Sequence, residues 1–250
     1  MTNPIGWCDE TWNPITGCTP VSEGCANCYA AAIPKRFGWP GGFEVMFHPD
    51  RLDYPLHWKK PQRIFVGSMG DLFHDNVDTH DLDAVLEVID ACSQHTFQML
   101  TKRAANLEHK LYQVTVAHGC RLLGGGVYIP NLHLGVTVEL QKYCDRIAML
   151  NDIPAAKRFV SFEPLLGPMV VPAAQMRRLD QIIIGGETKG AYPGRECKLE
   201  WVRRLIEQAQ AENVAVWVKK LHSDAKLVKN LEDMPEWARL RQLPGDGGKD

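Results

Sequence analysis

The chain has 250 residues, of which 45% are hydrophobic, and this composition suffices for one substantial core in a single domain. Its 28 basic and 30 acidic side chains give a formal net charge of -2, so the overall charge does not demand a polyanionic partner. The start of the chain lacks the features of a secretory signal, and no apolar stretch approaches the roughly 18 residues of a membrane span. We therefore expect a cytoplasmic protein with no membrane partner.

Short runs of apolar and β-branched residues alternate with segments of helical spacing. Strands are predicted at 11–16, 63–67, 96–100, 133–138, 158–160, 181–184 and 214–218. Helical spacing is clearest at Leu82, Val85, Leu86 and Ile89, and again at Trp201, Val202, Leu205, Ile206 and Ala209. This alternation predicts parallel strands joined by crossover helices, in an α/β fold that forms a complete or partial (β/α) TIM-type barrel. A doubly wound open sheet is the alternative.

The chain is expected to form one domain over residues 1–243, with a cysteine-rich loop near its N-terminus. Residues 244–250 have the low-complexity sequence PGDGGKD, which predicts a disordered tail. Of the 8 cysteines, four lie within the first 28 residues. In a reducing compartment such cysteines are more often thiols or metal ligands than disulfides.

Three of these cysteines have a spacing that is typical of a metal site. Cys18, Cys25 and Cys28 form a C-x6-C-x2-C pattern in a segment, residues 17–29, that we call the cysteine loop. A structural zinc ion usually takes four ligands, whereas a 4Fe-4S cluster held by three cysteines leaves one iron open. Cys8 lies ten residues before Cys18 and could complete a four-thiol zinc site, so both alternatives remain at this point.

A cysteine loop directly after the first strand of a barrel resembles the radical S-adenosylmethionine (radical SAM) superfamily, although the spacing differs from its common C-x3-C-x2-C form. The wider resemblance is to a family of phage- and prophage-encoded proteins with a three-Cys motif. It is carried by the phrases TWNP (11–14), GC (17–18), CANCY (25–29), SMGDLF (68–73), LTKR (100–103), GVTVE (135–139), FEPLLGP (162–168) and GGE (185–187). Together these phrases extend over about residues 5–222.

The resemblance implies that Cys18, Cys25 and Cys28 hold a 4Fe-4S cluster whose open iron binds S-adenosyl-L-methionine. Reduction of this cofactor would give methionine and a 5′-deoxyadenosyl radical that takes a hydrogen atom from the substrate. An electron donor such as a flavodoxin or a ferredoxin is then required. We expect a nucleotide or a nucleic-acid base as the substrate. A zinc-stabilised binding protein and an iron–sulfur adaptor that docks on a partner protein without turnover are the alternatives.

Polar residues follow each predicted strand, where a parallel barrel collects its site. In radical SAM enzymes the loop after the second strand contacts the methionine amine, so the resemblance implies this role for Ser68, Met69 and Asp71. It also implies that Glu139 contacts the ribose hydroxyls of the cofactor. Asp71 could instead cap the segment that follows, and Glu139 could instead complement a helix dipole.

The later strand ends suggest groups that face the substrate. Gly185 and Gly186 would let the backbone come close to adenine or substrate, and Glu163 precedes Pro164, which favours extended backbone. The cations Lys102, Arg103, Lys219 and Lys220 would make one side of the barrel mouth positive and suit a phosphate or carboxylate, with solvated surface charges as the alternative. We expect the catalytic residues to be Glu139, Glu163, Lys102 and Lys219.

Overall fold

The structure is a computed structural model that describes residues 5–39, 41–118, 128–188, 194–223 and 226–245. Its strands are β1 (Glu10–Trp12), β2 (Ile15–Thr16), β3 (Met46–Phe47), β4 (Arg63–Val66), β5 (Thr96–Thr101), β6 (Leu132–Thr137), β7 (Lys157–Phe162), β8 (Gln181–Gly185), β9 (Ala215–Ser223) and β10 (Lys226–Val228). Its helices are α1 (Tyr29–Phe37), α2 (Thr79–Ala91), α3 (Ala105–His118), α4 (Asp145–Asp152), α5 (Ala173–Met176) and α6 (Leu199–Ala211). From residue 246 onward, the predicted tail lies outside the described residues.

Eight strands form the main sheet in the order β1-β4-β5-β6-β7-β8-β9-β10. Every pairing from β1 to β9 is parallel, and β10 adds an antiparallel edge strand. Spatial order follows chain order without the reversal that a doubly wound sheet shows. Within the described part of the chain β1 does not pair with β9 or β10, so the barrel is open there. The predicted α/β fold of the TIM-barrel type is confirmed in its partial form.

Alternate residues of each strand face two different apolar cores, because successive side chains of a strand point to opposite faces. Ile182 and Ile184 of β8 pack with the helices in the larger core. Ile183 between them packs on the opposite face, in a smaller cluster with Trp7, Cys8, Phe65, Phe159 and Trp217. The N-terminal segment therefore fills the interior of the partial barrel, as side chains do in complete barrels.

The crossover helices form where the sequence has helical spacing. The Asp78 side chain accepts a hydrogen bond from the backbone N–H of His80 at 2.7 Å and thereby caps the start of α2. The buried residues of this helix are Leu82, Asp83, Val85, Leu86 and Ile89, and those of α6 are Val202, Leu205, Ile206 and Ala209. No helix in the described ranges is long and apolar enough to cross a membrane.

The first predicted strand, 11–16, is two strands in the structure. β1 ends at Trp12, and β2 pairs antiparallel with β3 instead of continuing in the main sheet. Pro14 cannot donate to a strand ladder, and the Asn13 carbonyl oxygen Oδ1 accepts a hydrogen bond from the Met69 N–H at 2.8 Å. This break directs the chain out of the sheet at its carboxyl edge, where the cysteine loop begins.

Candidate metal and cofactor site

The cysteine loop lies at the carboxyl edge of the parallel sheet. The backbone N–H of Gly17 donates to the Met69 carbonyl at 2.9 Å, and Gly17 forms a parallel bridge with Gly70. Gly17 has a φ of +89°, and a Cβ atom at this position would collide with the backbone carbonyl of Glu44. Only glycine fits this turn, which is the point where the chain enters the loop.

The three loop cysteines are free and partly exposed. Cys25 ends a short 3-10 helix (Glu23–Cys25), and the Cys28 N–H donates to the Cys25 carbonyl at 3.2 Å. Burial raises the pKa of the Cys18 thiol and the negative charge of Asp71 adds to the rise, while Arg103 opposes it. The chain thus holds three thiols on one short, tightly turned segment directly before α1.

A first carboxylate, Asp71, reaches the loop through an arginine. Arg103 donates from Nη1 to the Cys18 Sγ atom at 3.1 Å and to Asp71 Oδ2 at 3.3 Å, and from Nη2 to the Thr19 carbonyl at 2.9 Å. Asp71 Oδ1 in turn accepts from the Thr101 hydroxyl at 2.7 Å. Both charged side chains are buried, so the carboxylate fixes the direction in which the guanidinium points.

A second carboxylate, Glu139, lies directly beneath the loop and is fully buried. Its Oε1 atom accepts from the Ser22 hydroxyl at 2.5 Å, and its Oε2 atom accepts from Arg146 Nη1 at 2.9 Å. Lys102 Nζ lies 3.8 Å from Oε1. A Cβ atom on Gly24 would collide with the Glu139 carboxylate, so glycine permits this close approach.

A third carboxylate, Glu187, follows β8 and holds the far side of the loop. It accepts from Asn27 Nδ2 at 2.9 Å and from Arg195 Nε at 3.0 Å. Arg195 Nη2 also donates to the Glu23 carbonyl at 2.8 Å. Burial alone would raise the pKa of Glu187, but the hydrogen bonds from Arg195 and Asn27 outweigh it and lower the pKa. Each of the three carboxylates thus contacts the loop directly or through an arginine.

A separate charged cluster joins Glu163, directly after β7, to two lysines of β9 that lie level with the end of β8. Lys219 Nζ lies 3.0 Å from Glu163 Oε1, and Lys220 Nζ lies 2.7 Å from the same oxygen. Lys220 also donates to the Thr188 hydroxyl. Burial alone would raise the pKa of Glu163, but the two ammonium groups hold it below its ordinary value. A Cβ atom on Gly185 would lie 2.9 Å from Glu163 Cγ, so the glycine makes room for this carboxylate.

Several sequence-predicted residues contact the protein itself at the predicted cofactor edge. Ser68 donates from its hydroxyl to Asn13 Oδ1 at 3.2 Å, and its carbonyl accepts from the Tyr29 hydroxyl at 2.6 Å. A Cβ atom on Gly186 would lie 2.8 Å from His222 Nδ1, so its space is filled by a side chain. The predicted cofactor contacts of Ser68, Met69, Asp71, Gly185 and Gly186 stay predictions, and in this structure these residues position the loop and the Glu163 cluster.

Cys8 lies apart from the cysteine loop, in the interior apolar cluster. Burial raises the pKa of its thiol to about 12. Among the residues that the structure describes, no three His, Cys, Asp or Glu side chains converge closely enough to hold a single metal ion. Because a 4Fe-4S cluster takes its thiolates on separate irons, its ligands do not have to converge on one point.

Sequence reasoning missed the residues that tie the loop to the strand ends. Ser22, Asn27, Arg146 and Arg195 are polar residues in polar segments, and nothing in their local pattern distinguishes them. Arg103 is predicted only as part of a positive mouth, yet it contacts a thiol. The one available signal is the recurrence of a carboxylate just beyond several apolar strands, which identifies the correct edge of the sheet.

Three solved structures of spore photoproduct lyase align with this chain, and the one with a TM-score of 0.52 has a similar fold. A cysteine-to-serine variant aligns with a TM-score of 0.52 and 13% identity, over 84% of this chain and 76% of that chain. The complex with dinucleoside spore photoproduct aligns with a TM-score of 0.43 and 13% identity, over 68% of this chain and 54% of that chain. A double variant with bound AdoMet and dinucleoside spore photoproduct aligns with a TM-score of 0.44 and 11% identity, over 86% of this chain and 58% of that chain. In the complex with dinucleoside spore photoproduct, the alignment covers about half of the lyase chain. The likeness to these structures concerns the fold alone.

The sequence comparisons give one family. No curated protein matches this sequence. The profile of a family described as "Protein of unknown function (DUF5131)" matches residues 2–236, which is most of the chain. The resemblance to phage three-Cys-motif proteins stays a prediction, because the matching description does not mention them. The chain belongs to the DUF5131 family.

Proposed function

We propose that this protein is a radical SAM enzyme whose 4Fe-4S cluster is held by Cys18, Cys25 and Cys28. The observation that carries the proposal is the placement of three free thiols on one loop at the carboxyl edge of a parallel sheet. Barrel enzymes form their active sites at this edge. The fold shared with spore photoproduct lyase supports the proposal, and that lyase has been seen with AdoMet and with a dinucleoside ligand.

The donor set fits such a cluster. All three ligands are thiols, the donors that iron–sulfur clusters take. The Arg103 guanidinium lies 3.1 Å from the Cys18 Sγ atom, and this cation opposes the rise in the pKa of Cys18 that burial causes. Cys8 is buried in the interior apolar cluster, whereas the three loop cysteines are partly exposed, which supports three ligands rather than four. When bound, such a cluster supplies the electron that cleaves S-adenosyl-L-methionine.

The protein's own residues divide the remaining tasks. Asp71, Glu139 and Glu187 hold the cysteine loop in place through the hydrogen bonds described above. We propose that Glu163 and Lys219 contact cofactor or substrate, because both are partly exposed where a parallel barrel collects its site. Lys102 lies 3.8 Å from the buried Glu139 and is 25% exposed, and we propose that it faces the cofactor or substrate as well. A bound substrate would exclude water from these groups and strengthen their electrostatic effect.

The proposed substrate is a nucleotide or a nucleic-acid base, with a flavodoxin or ferredoxin as the electron donor. Two other functions share part of the evidence. An iron–sulfur adaptor would hold the same cluster without turnover, and a zinc-binding protein would use the same thiols with a fourth ligand. These alternatives differ from the proposal in metal content and in their response to S-adenosyl-L-methionine.

Anaerobic reconstitution tests the proposal. We expect about four irons and four sulfides per chain, lost in each of Cys18→Ala, Cys25→Ala and Cys28→Ala. Cys8→Ala is the matched control, because it removes a thiol from the interior cluster and should retain the iron. Melting curves for all four variants show whether a loss of iron reflects a loss of fold.

Addition of S-adenosyl-L-methionine then separates enzyme from adaptor. The EPR spectrum of the reduced protein should change, and 5′-deoxyadenosine should be released in the presence of dithionite. Tightly bound zinc in every preparation, or loss of iron in Cys8→Ala alone, would overturn the proposed metal centre. An intact cluster without either response would leave the adaptor as the function.

A further inference from the structure

The Glu163 cluster contains more positive than negative charge. One carboxylate faces two ammonium groups, and the three side chains are between 10% and 17% exposed. Among the described residues, Glu163 is the one carboxylate within salt-bridge distance of Lys219 or Lys220. Lys102, the other lysine of the predicted mouth, shares Glu139 with Arg146. Lys219 and Lys220 carry an excess of one positive charge over Glu163.

The neighbouring groups do not supply the missing negative charge. The Cys8 thiol is close enough to Lys219 for the two charges to interact, but its pKa is raised to about 12 by burial, so it is neutral. Lys229 adds a further positive charge near Lys220. A buried charge without a counter-charge is costly, and a bound anion would remove this cost.

Both ammonium groups retain hydrogen-bonding capacity. An ammonium has three donors, and the described contacts of Lys220 use two of them, on Glu163 and on the Thr188 hydroxyl. Lys219 contacts the two oxygens of Glu163, at 3.0 and 3.1 Å, and also keeps a donor. A Cβ atom on Gly185 would lie 2.9 Å from Glu163 Cγ, so the side chain of Glu163 packs against β8. Each lysine therefore keeps a donor that a second oxyanion can use.

We propose that Lys219 and Lys220 bind the phosphate group of a nucleotide substrate. This inference rests on the proposed function for its place in a reaction, and it narrows the substrate class from a nucleotide or a nucleic-acid base to a phosphate ester. A carboxylate has the same chemistry, so the carboxylate of S-adenosyl-L-methionine is the competing source of the oxyanion. The two sources predict different losses of affinity in lysine variants.

Binding of thymidine 5′-monophosphate, thymidine, inorganic phosphate and S-adenosyl-L-methionine to the full chain, measured by calorimetry, tests the inference. We expect the monophosphate to bind at least about tenfold more tightly than thymidine, and Lys219→Met and Lys220→Met each to remove this advantage. Each variant keeps one lysine on Glu163, so the fold should be preserved. Lys157→Met is the matched control, since Lys157 forms an ion pair with Asp180 at the opposite edge of the sheet.

Each outcome decides the question. Equal affinity of the wild-type chain for thymidine and its monophosphate overturns the inference without any variant. Loss of S-adenosyl-L-methionine binding with unchanged monophosphate binding assigns the lysines to the cofactor carboxylate and also overturns it. An equal loss in Lys157→Met shows non-specific attraction. Measurements with and without the reconstituted cluster keep the two proposals apart, because monophosphate binding in a chain that never takes up iron would support the lysine site alone.

Discussion

Replacing Glu139 by glutamine distinguishes two roles for the same carboxylate. The sequence predicts that Glu139 contacts the ribose of a cofactor, whereas the structure places it beneath the cysteine loop, between Ser22 and Arg146. Glutamine preserves the shape of the side chain and removes its charge. If Glu139 only contacts the cofactor, the substitution should have little effect on folding. If Glu139 supports the cysteine loop, the substitution should destabilise the fold.

The expected magnitude follows from the burial of the pair. Glu139 has 0% of its side chain exposed, and its partner Arg146 has 9%. Removing one member of a buried ion pair costs about 3–5 kcal/mol because the other charge is left uncompensated. Glutamine retains one acceptor, so we expect about 3 kcal/mol. In a chain of this size, where 1 kcal/mol lowers the melting temperature by about 2–4 °C, the midpoint should fall by about 6–12 °C.

The assay compares melting and iron content of Glu139→Gln with those of Glu10→Gln. Glu10 is exposed on β1, and a surface substitution of this kind should change stability by less than about 0.5 kcal/mol. We expect Glu139→Gln to melt early and to take up less iron per folded chain, because Ser22 and the loop lose their anchor. A variant with parental melting and iron content that has lost only cofactor cleavage would refute this reasoning and return Glu139 to the cofactor.

Two further predictions concern the loop and the core. Arg103→Met removes a donor and a positive charge from the Cys18 sulfur, so the potential of the loaded cluster should become more negative by about 60 mV, the equivalent of about 1.4 kcal/mol for one electron. Arg103→Lys should give a smaller shift in an EPR-monitored redox titration, and an unchanged potential in both variants would contradict the contact. Ile183→Ala, fully buried in the interior cluster, should cost about 2–5 kcal/mol in denaturant unfolding with unchanged activity per folded chain. A large loss of activity at unchanged stability would place Ile183 in the site instead.

The fold class is readable from the sequence because parallel strands are buried on both faces. Their continuous apolar runs, such as 182–184, stand out against the helical spacing of the intervening segments. The same rule identifies the carboxyl edge as the place for polar residues. The break between β1 and β2 was not predicted, because it depends on a contact between Asn13 and Met69 that the topology brings together.

The tasks of the site residues could not be read in the same way. Ser22 and Glu139 are 117 positions apart, and their hydrogen bond exists only because the loop folds back over the sheet. A glycine in a sequence permits a close approach to the backbone but does not show which group approaches. At Gly185 the neighbour is the Glu163 side chain. The sequence pattern therefore locates the site and leaves the partners of its residues undetermined.

The four carboxylates described above at the carboxyl edge differ in the cations that pair with them. Asp71 and Glu187 are each paired with one arginine, and Glu139 is paired with Arg146 and lies 3.8 Å from Lys102. All three carboxylates contact the loop or its arginine and hold the backbone in place. Glu163 is matched by two lysines, whose flexible ammonium groups can rearrange around a ligand. Rigid guanidinium forks suit the positioning of a loop that must present three thiols together. The Glu163 cluster, with two lysines and one carboxylate, is thus the part of this edge that we propose to bind the substrate phosphate.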